Sequence, residues 1–594
     1  MTIRLASFLR RILPALAAVV IVLVAFAAED KADLDMANKI RFEGLKHSQV
    51  AKLVAYLSDV IGPRPTGSPE IDRANKWAAA KMKEWGMTNV ALEPYDNFGI
   101  GWALRYVSAH LLRPHYAPLI AISVEWGSST KGKITGQPVY VDIKSKADFA
   151  KYAAKLKGKI VLYQPPRPIP TQFTPDARRH DAESLKALVE TPIRTKVPPD
   201  PDYVRGFADD LENFFRTEEI GVLVSSSGAR LREYGTVLAG GVRQARDPKR
   251  VRPLPEIILA AEHYNRIYRI IEEFKEQAVM EVEVRAEFYD NDLHGYNVVG
   301  EIAGSDKKDE LVMLGGHIDS WSPGTGAADN AAGVAVSLEA VRILQTLRVK
   351  PRRTIRVVLW SAEEKGWVGS KTYVEQHFGD VTTMTLKPEH AKVSGYFNFD
   401  NGSGRIRGIY CQSNAAVKPI FEEWMKPFAD LGMTHAVLRD TGGSDHGALD
   451  YIGLPAFQFI QDPLDYSTHI HHTNMDVYDH LVPEDLMQSA VIMAAFVYQT
   501  AMREDMLPRK PLPDPMKYPV RRKRRCAPAG RLHDSQNAAG VLQVQAEAPG
   551  GSLPLWRPGA SPFVAEKPPP CHSLKTVAPR PPLRAARYGF LERT

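Results

Sequence analysis

Only three cysteines, Cys411, Cys526 and Cys571, occur in the 594 residues. They are too few and too scattered for a disulfide framework or a Cys-rich metal site, so any metal has to be held by His and carboxylates. A basic surplus is also missing from most of the chain. Lys517 to Thr594 holds 14 Lys/Arg against 4 Asp/Glu, a net +10, while the whole chain carries +7, so everything before Lys517 sums to about −3. The basicity belongs to the tail, and a nucleic-acid partner is excluded for the rest. One long apolar run exists, Ile12 to Ala28, preceded by Arg4, Arg10 and Arg11 and followed by Glu29 and Asp30. Ala25 and Ala27 flank Phe26 in an A-x-A arrangement, the form of a signal peptide over 1–28. The other reading is an uncleaved anchor, because the run is barely long enough to span a bilayer. Both readings export the remainder, to a secreted or periplasmic location, with a membrane partner only if the segment is uncleaved.

At 66.0 kDa the chain is too long for one ordinary core. Residues 37–116 read as the first part of a catalytic domain. Within them, the break Ile61-Gly62-Pro63-Arg64-Pro65-Thr66-Gly67-Ser68 separates a helix carrying Val50, Leu53, Val54 and Leu57 from one carrying Ala74, Trp77, Ala78, Met82 and Trp85. Residues 117–275 hold short apolar runs such as Pro138–Val141, Lys159–Tyr163 and Gly221–Val224, with Pro165 to Asp202 as an irregular loop; this is a β-rich insert. Residues 276–509 complete the catalytic domain. Strand-length runs at Leu311–Leu314, Thr354–Leu359, Val393–Phe399 and Pro455–Ile460 there alternate with helical spacing at Ala331–Leu347 and Glu484–Thr500. Such alternation predicts an α/β fold, a mostly parallel mixed sheet flanked by helices. Residues 513–594 are Pro-rich and basic, the composition of a disordered tail.

In an open α/β sheet, ligands bind at the carboxyl ends of the strands. Gly315-Gly316-His317-Ile318-Asp319 follows the first predicted strand, Ser361-Ala362-Glu363-Glu364 the second and Asp400 the third, while Thr468-His469-Ile470-His471-His472-Thr473 comes soon after the fourth. Imidazole and carboxylate at four strand ends suit zinc. Asp329, twelve residues after His317, opens a helix as an N-cap would, yet its two oxygens can also bridge two metals. Glu363 and Glu364 are adjacent and point in different directions, so one can bind metal while the other faces a water.

The series G-G-H-I-D, A-A-D-N-A-A-G, S-A-E-E and H-H-T-N-M-D resembles the bacterial leucyl aminopeptidase family of co-catalytic zinc peptidases, and within it the carboxypeptidase Q (plasma glutamate carboxypeptidase) branch. The similarity covers roughly Gln49 to Arg509, including Gly62-Pro63-Arg64-Pro65-Thr66-Gly67. It implies a zinc-exopeptidase, phosphorylase/hydrolase-like fold with the β-rich insert as a protease-associated domain. It also implies two zinc ions, with His317, Glu364, Asp400 and His472 as ligands, Asp329 as the bridge and Glu363 as general base. Asp319 resembles the acid that orients the first His. Asp400 stands farther from Glu364 than the branch pattern has it, the extra residues falling near Phe378 to Lys392 around Asp380. His469 and His471, beside His472, either line the pocket or are simply exposed, the second reading being preferred.

The resemblance implies an exopeptidase acting on a peptide substrate, short peptides or dipeptides. Asp445 and His446, in Thr441-Gly442-Gly443-Ser444-Asp445-His446, and Tyr466 are candidate pocket residues for a charged terminus or the oxyanion; a plain turn is an equal reading of the loop. Strict aminopeptidase action on longer peptides is the main alternative. A non-catalytic transferrin-receptor-like ectodomain and a one-zinc glutaminyl-cyclase-like transferase are others. The assembly state is open, a homodimer included.

Overall fold

The four apolar runs that lead into candidate ligands are neighbouring parallel strands. The computed structural model describes residues 30–96, 98–191, 205–228, 234–241 and 246–516; the expected signal peptide and nearly all of the expected tail lie outside them. The main sheet has eight strands: β1 (Thr88–Tyr95), β2 (Gly295–Ile302), β3 (Lys307–His317), β4 (Arg353–Trp360), β5 (Val393–Asn398), β6 (Ile406–Tyr410), β7 (His435–Val437) and β8 (Ala456–Gln461). Their order is β1-β2-β4-β3-β5-β8-β6-β7. The central four, β4-β3-β5-β8, are mutually parallel, and antiparallel pairs join β1, β2 and β6 to them. Register places His317 beside Trp360 and Gly315 beside Asn398, so the ligand-bearing ends are level. Every residue of β5 and β8 is buried, as expected of strands covered on both faces.

Helix Ala332–Thr346 packs on the sheet beside helix Pro483–Met502. Its run from Ala332 to Leu344 is buried throughout, charged residues included. Those charges are paired: Arg342 donates to Glu339 at 2.8 Å and to Glu43 at 2.8 Å. The two helices expected around the Pro/Gly break are Val50–Ala55, continued by a wider turn to Ile61, and Pro69–Glu84, capped by Ser68. Among the described residues, no helix is long and apolar enough to cross a membrane.

The insert contains a five-stranded sheet, mostly parallel, ordered Ala121–Ser123, Glu256–Leu259, Val222–Ser226, Ile160–Leu162, Val139–Tyr140. A four-stranded antiparallel sheet pairs Gly101–Arg113 with Val279–Tyr289 and therefore runs across the positions 116 and 275. The stretch expected as an irregular loop contains helix Ala182–Glu190. Asp181 and Ser184 cap it reciprocally, and a Ser in place of the usual Glu/Gln hid that signal in the sequence.

Candidate metal centre

Two glycines bring the ligand loops together. A Cβ on Gly316 would lie 2.9 Å from Asn330 Nδ2 and 3.0 Å from the Phe399 carbonyl oxygen, so only glycine lets the turn before helix Ala332–Thr346 settle on the end of β3. One on Gly333 would lie 2.3 Å from that same carbonyl. Asn330 uses the space: its Nδ2 donates to the Phe399 carbonyl at 2.9 Å and its Oδ1 accepts from Gly333 N–H at 2.9 Å. One side chain thus links the residue after Asp329 to the residue before Asp400, and the sequence reading missed it.

All five expected ligands converge. His317 Nε2 is 3.1 Å from Asp329 Oδ1 and 3.4 Å from Asp400 Oδ1. On the other side, His472 Nε2 is 3.2 Å from Asp329 Oδ2 and 3.2 Å from Glu364 Oε2. Donors bonded to one tetrahedral zinc at about 2.0–2.2 Å stand roughly 3.3–3.6 Å apart, and the four imidazole–carboxylate contacts within these two trios, at 3.1, 3.4, 3.2 and 3.2 Å, lie at or slightly inside that spacing. Asp329 belongs to both trios, one oxygen to each, and Oδ2 is buried with no hydrogen-bond donor aligned on it. The donor chemistry and the closeness of the donor atoms fit a metal site.

Burial separates the two sides. The side chains of His317, Asp329, Glu364 and Asp400 are at most 6% exposed, while His472 is 26% exposed, so the site opens on the His472 side. His471 takes the pocket-lining reading rather than the exposed one: it is half-buried, its ring lies tilted at 37° against that of His472 with centres 3.8 Å apart, and its Nε2 is 3.7 Å from Asp329 Oδ2. It comes near one carboxylate where His472 touches two. His469 is also half-buried, its ring against His480. Asp380 lies away from the centre, bonded to Thr382 in a short hairpin.

Support comes from carboxylates behind the ligands. Asp319 meets His317 mainly through its backbone, whose oxygen is 2.9 Å from Nδ1, with the carboxylate at 3.5 Å. That carboxylate accepts from Glu363 N–H at 3.2 Å and from Thr66 Oγ1 at 3.1 Å, and Thr66 Oγ1 in turn accepts from Ala362 N–H at 2.9 Å. Asp476 accepts from the backbone N–H groups of Ala328 at 2.7 Å and Asp329 at 3.1 Å. Arg64, fully buried, donates to the carbonyls of Leu57, Gly62, Ile318, Thr325 and Gly326, sewing the Pro/Gly break to the loop after His317.

The charges are strongly coupled. Burial, then the negative charges of Asp400, Glu364 and Asp445, push the Glu363 carboxyl well above its usual range against the pull of His317. Burial and Asp329 raise Glu364 as well. Burial opposes the His472 imidazolium, but Glu364 and Asp329 outweigh it and hold its pKa up at about 10. Asp445 is fully buried, both oxygens lack an aligned hydrogen bond, and burial drives it up to about 8. His446 is buried too and its Nε2 meets the Thr441 carbonyl at 3.2 Å, within its own loop. Tyr466 packs against His471, with ring centres 4.6 Å apart, and over Gly402, where a Cβ would lie 2.8 Å from its ring. Burial, then the charges of Asp329, Asp400 and Glu364, hold its hydroxyl protonated.

Residues 297–497 match Peptidase family M28. Carboxypeptidase Q of Bos taurus is 26% identical over 458 residues, which cover 77% of this chain and 86% of that protein. The chain is a metallo-exopeptidase, and its segment 297–497 is similar to Peptidase family M28. The imidazole and carboxylate donors of the centre are of the kind that zinc accepts. The structure of a Peptidase M28 precursor from Shewanella amazonensis SB2B, 25% identical, superposes with a TM-score of 0.57 over 81% of this chain and 98% of that one. BSAP, a zinc aminopeptidase from Bacillus subtilis, is 18% identical and covers 77% of this chain and 96% of its own, with a TM-score of 0.49.

Proposed function

We propose that the chain is an exported two-zinc exopeptidase of short peptides and dipeptides. One zinc would be held by His317 and Asp400, the other by Glu364 and His472, and Asp329 would be shared. The observation that carries this is the divergence of the Asp329 oxygens, each 3.1–3.2 Å from a different imidazole. When bound, such a pair lowers the pKa of water and polarises the scissile carbonyl. Glu363 takes the proton of the attacking water and delivers it to the leaving amine. Asp319 aims it by holding its N–H. Tyr466 is the oxyanion donor, since a protonated phenol among carboxylates has a hydrogen to give. Asp445 and His446 back the pocket.

A centre nearly closed except beside His472 favours a chain end over an internal bond. We assign the insert as a protease-associated domain and residues 1–28 as a signal peptide. The test is a length series of unblocked peptides beside N-acetylated and C-amidated versions, with bound zinc counted. Cleavage of free dipeptides with about two zinc ions per chain supports the reading. Equal rates on amidated dipeptides and longer unblocked peptides would replace dipeptidase by strict aminopeptidase action.

A further inference from the structure

Lys365 directly follows the Glu363-Glu364 pair, yet its ammonium is buried, with 0% of the side chain exposed. It lies 2.7 Å from Glu125 Oε2, on a side chain that is 1% exposed and comes from the insert, 240 residues away. The other oxygen of Glu125 accepts from Ser322 N–H at 2.8 Å, in the loop after His317. Between these anchors stands Trp321. Lys365 Nζ sits 3.3 Å from its ring centre, and the ring is 5.7 Å from that of His472. Trp126, next to Glu125, closes the far side, its ring 5.5 Å from Lys365 Nζ. Gly241 leaves room for the indole, since a Cβ there would come 3.1 Å from it. The insert also holds the loop that carries His472. Ala239 N–H donates to the His472 carbonyl at 2.7 Å, and Val237 N–H donates to Asn474 Oδ1 at 2.6 Å. His472 itself has a left-handed φ of +62°, a conformation that a non-glycine residue keeps only where its surroundings impose it.

We propose that the buried Glu125–Lys365 couple is a positioning device through which the insert sets Trp321 against His472, making the insert part of the metal centre. A buried ion pair is weak evidence of added stability, because desolvation offsets the Coulomb gain. Its value here is geometric: one carboxylate ties together the loop after His317, the loop carrying Glu364 and the wall beside His472. Lys365 and Glu125 do not touch substrate. They act through Trp321 and the backbone, as the groups behind metal ligands do in other enzymes.

The inference rests on His472 as a ligand, and its test separates position from stability. Glu125→Gln, Lys365→Met and the double variant are compared for melting temperature, kcat, KM and zinc retention against a chromophoric chelator. Each single change strands one buried charge and lowers the melting temperature, whereas the double change strands none and restores it. The expected result for the double variant is a kcat about 10- to 100-fold low, KM within about twofold, and the more weakly held zinc lost about tenfold more readily. Recovery of kcat and zinc retention together with melting temperature would overturn the proposal. Trp321→Leu, at a half-exposed position, gives an independent reading if the double variant does not fold: unchanged kcat and zinc retention would also overturn it. Wild-type protein that holds zinc but cleaves no dipeptide would defeat the proposed substrate and leave the zinc-retention comparison intact.

Discussion

Removing the metal should make the stability of this protein depend on pH in a definite sense. Without zinc, His472 has a pKa of about 10 against an ordinary 6.5, and Asp445 and Asp476 are each raised to about 8 from 3.8. All three hold a proton more tightly when folded than when unfolded. Each therefore contributes stability that is fully present below the unfolded pKa and is lost as pH rises through the folded one. For His472 that window runs from about 6.5 to about 10, and for the two aspartates from about 4 to about 8. One pKa unit is about 1.4 kcal/mol, so His472 alone accounts for at most about 3 kcal/mol between pH 6.5 and 9. At about 2.1 cal/mol/K per residue, a folded region of this length loses roughly 1 °C per kcal/mol, giving a fall of about 3 °C. In the proposed centre zinc would displace the His472 proton, so its binding should strengthen with pH. Melting temperatures of chelated and zinc-reconstituted protein, measured in the same buffers from pH 6 to 9.5, should draw apart as pH rises. A gap that stays constant or narrows would refute this account of the centre's charges.

Asp329→Asn keeps the shape of the proposed shared ligand but removes the charge that faces both imidazoles. Activity should fall by at least about 10³-fold, equivalent to several kcal/mol of lost charge stabilisation, with bound zinc below about one per chain by atomic emission. Arg64→Met removes donors from five buried or part-buried carbonyls. It should cost about 3–5 kcal/mol in urea unfolding, and a loss below about 1 kcal/mol would mean that water replaces the guanidinium.

The parts of the fold that were legible are those whose pattern is local. The runs at β3, β4, β5 and β8 are apolar on both faces, which marks them as central parallel strands without knowledge of their partners. Their ends carry His317, Glu363, Glu364 and Asp400, so the site followed from the sheet. Asp400, despite its longer interval from Glu364, reaches His317 because the extra residues form a small hairpin and a short helix outside the sheet. What was not legible depends on distant partners. Nothing local in the sequence pairs Glu125 with Lys365, 240 residues away. Asn330 was one letter of a motif; its role appears only when the Phe399 carbonyl is in place. His471 and His472 are adjacent and chemically equal, and only the backbone of their loop decides which of them reaches Glu364.

The central claim is that Glu363 moves the proton while its neighbour Glu364 holds the metal. Glu363→Gln keeps size and the backbone hydrogen bond to Asp319 but cannot accept a proton. Assayed on a mixed dipeptide library with zinc measured on the same sample, it should retain the wild-type zinc content while kcat falls by about 10²–10⁴-fold. Loss of zinc in this variant would make Glu363 a ligand and contradict the account.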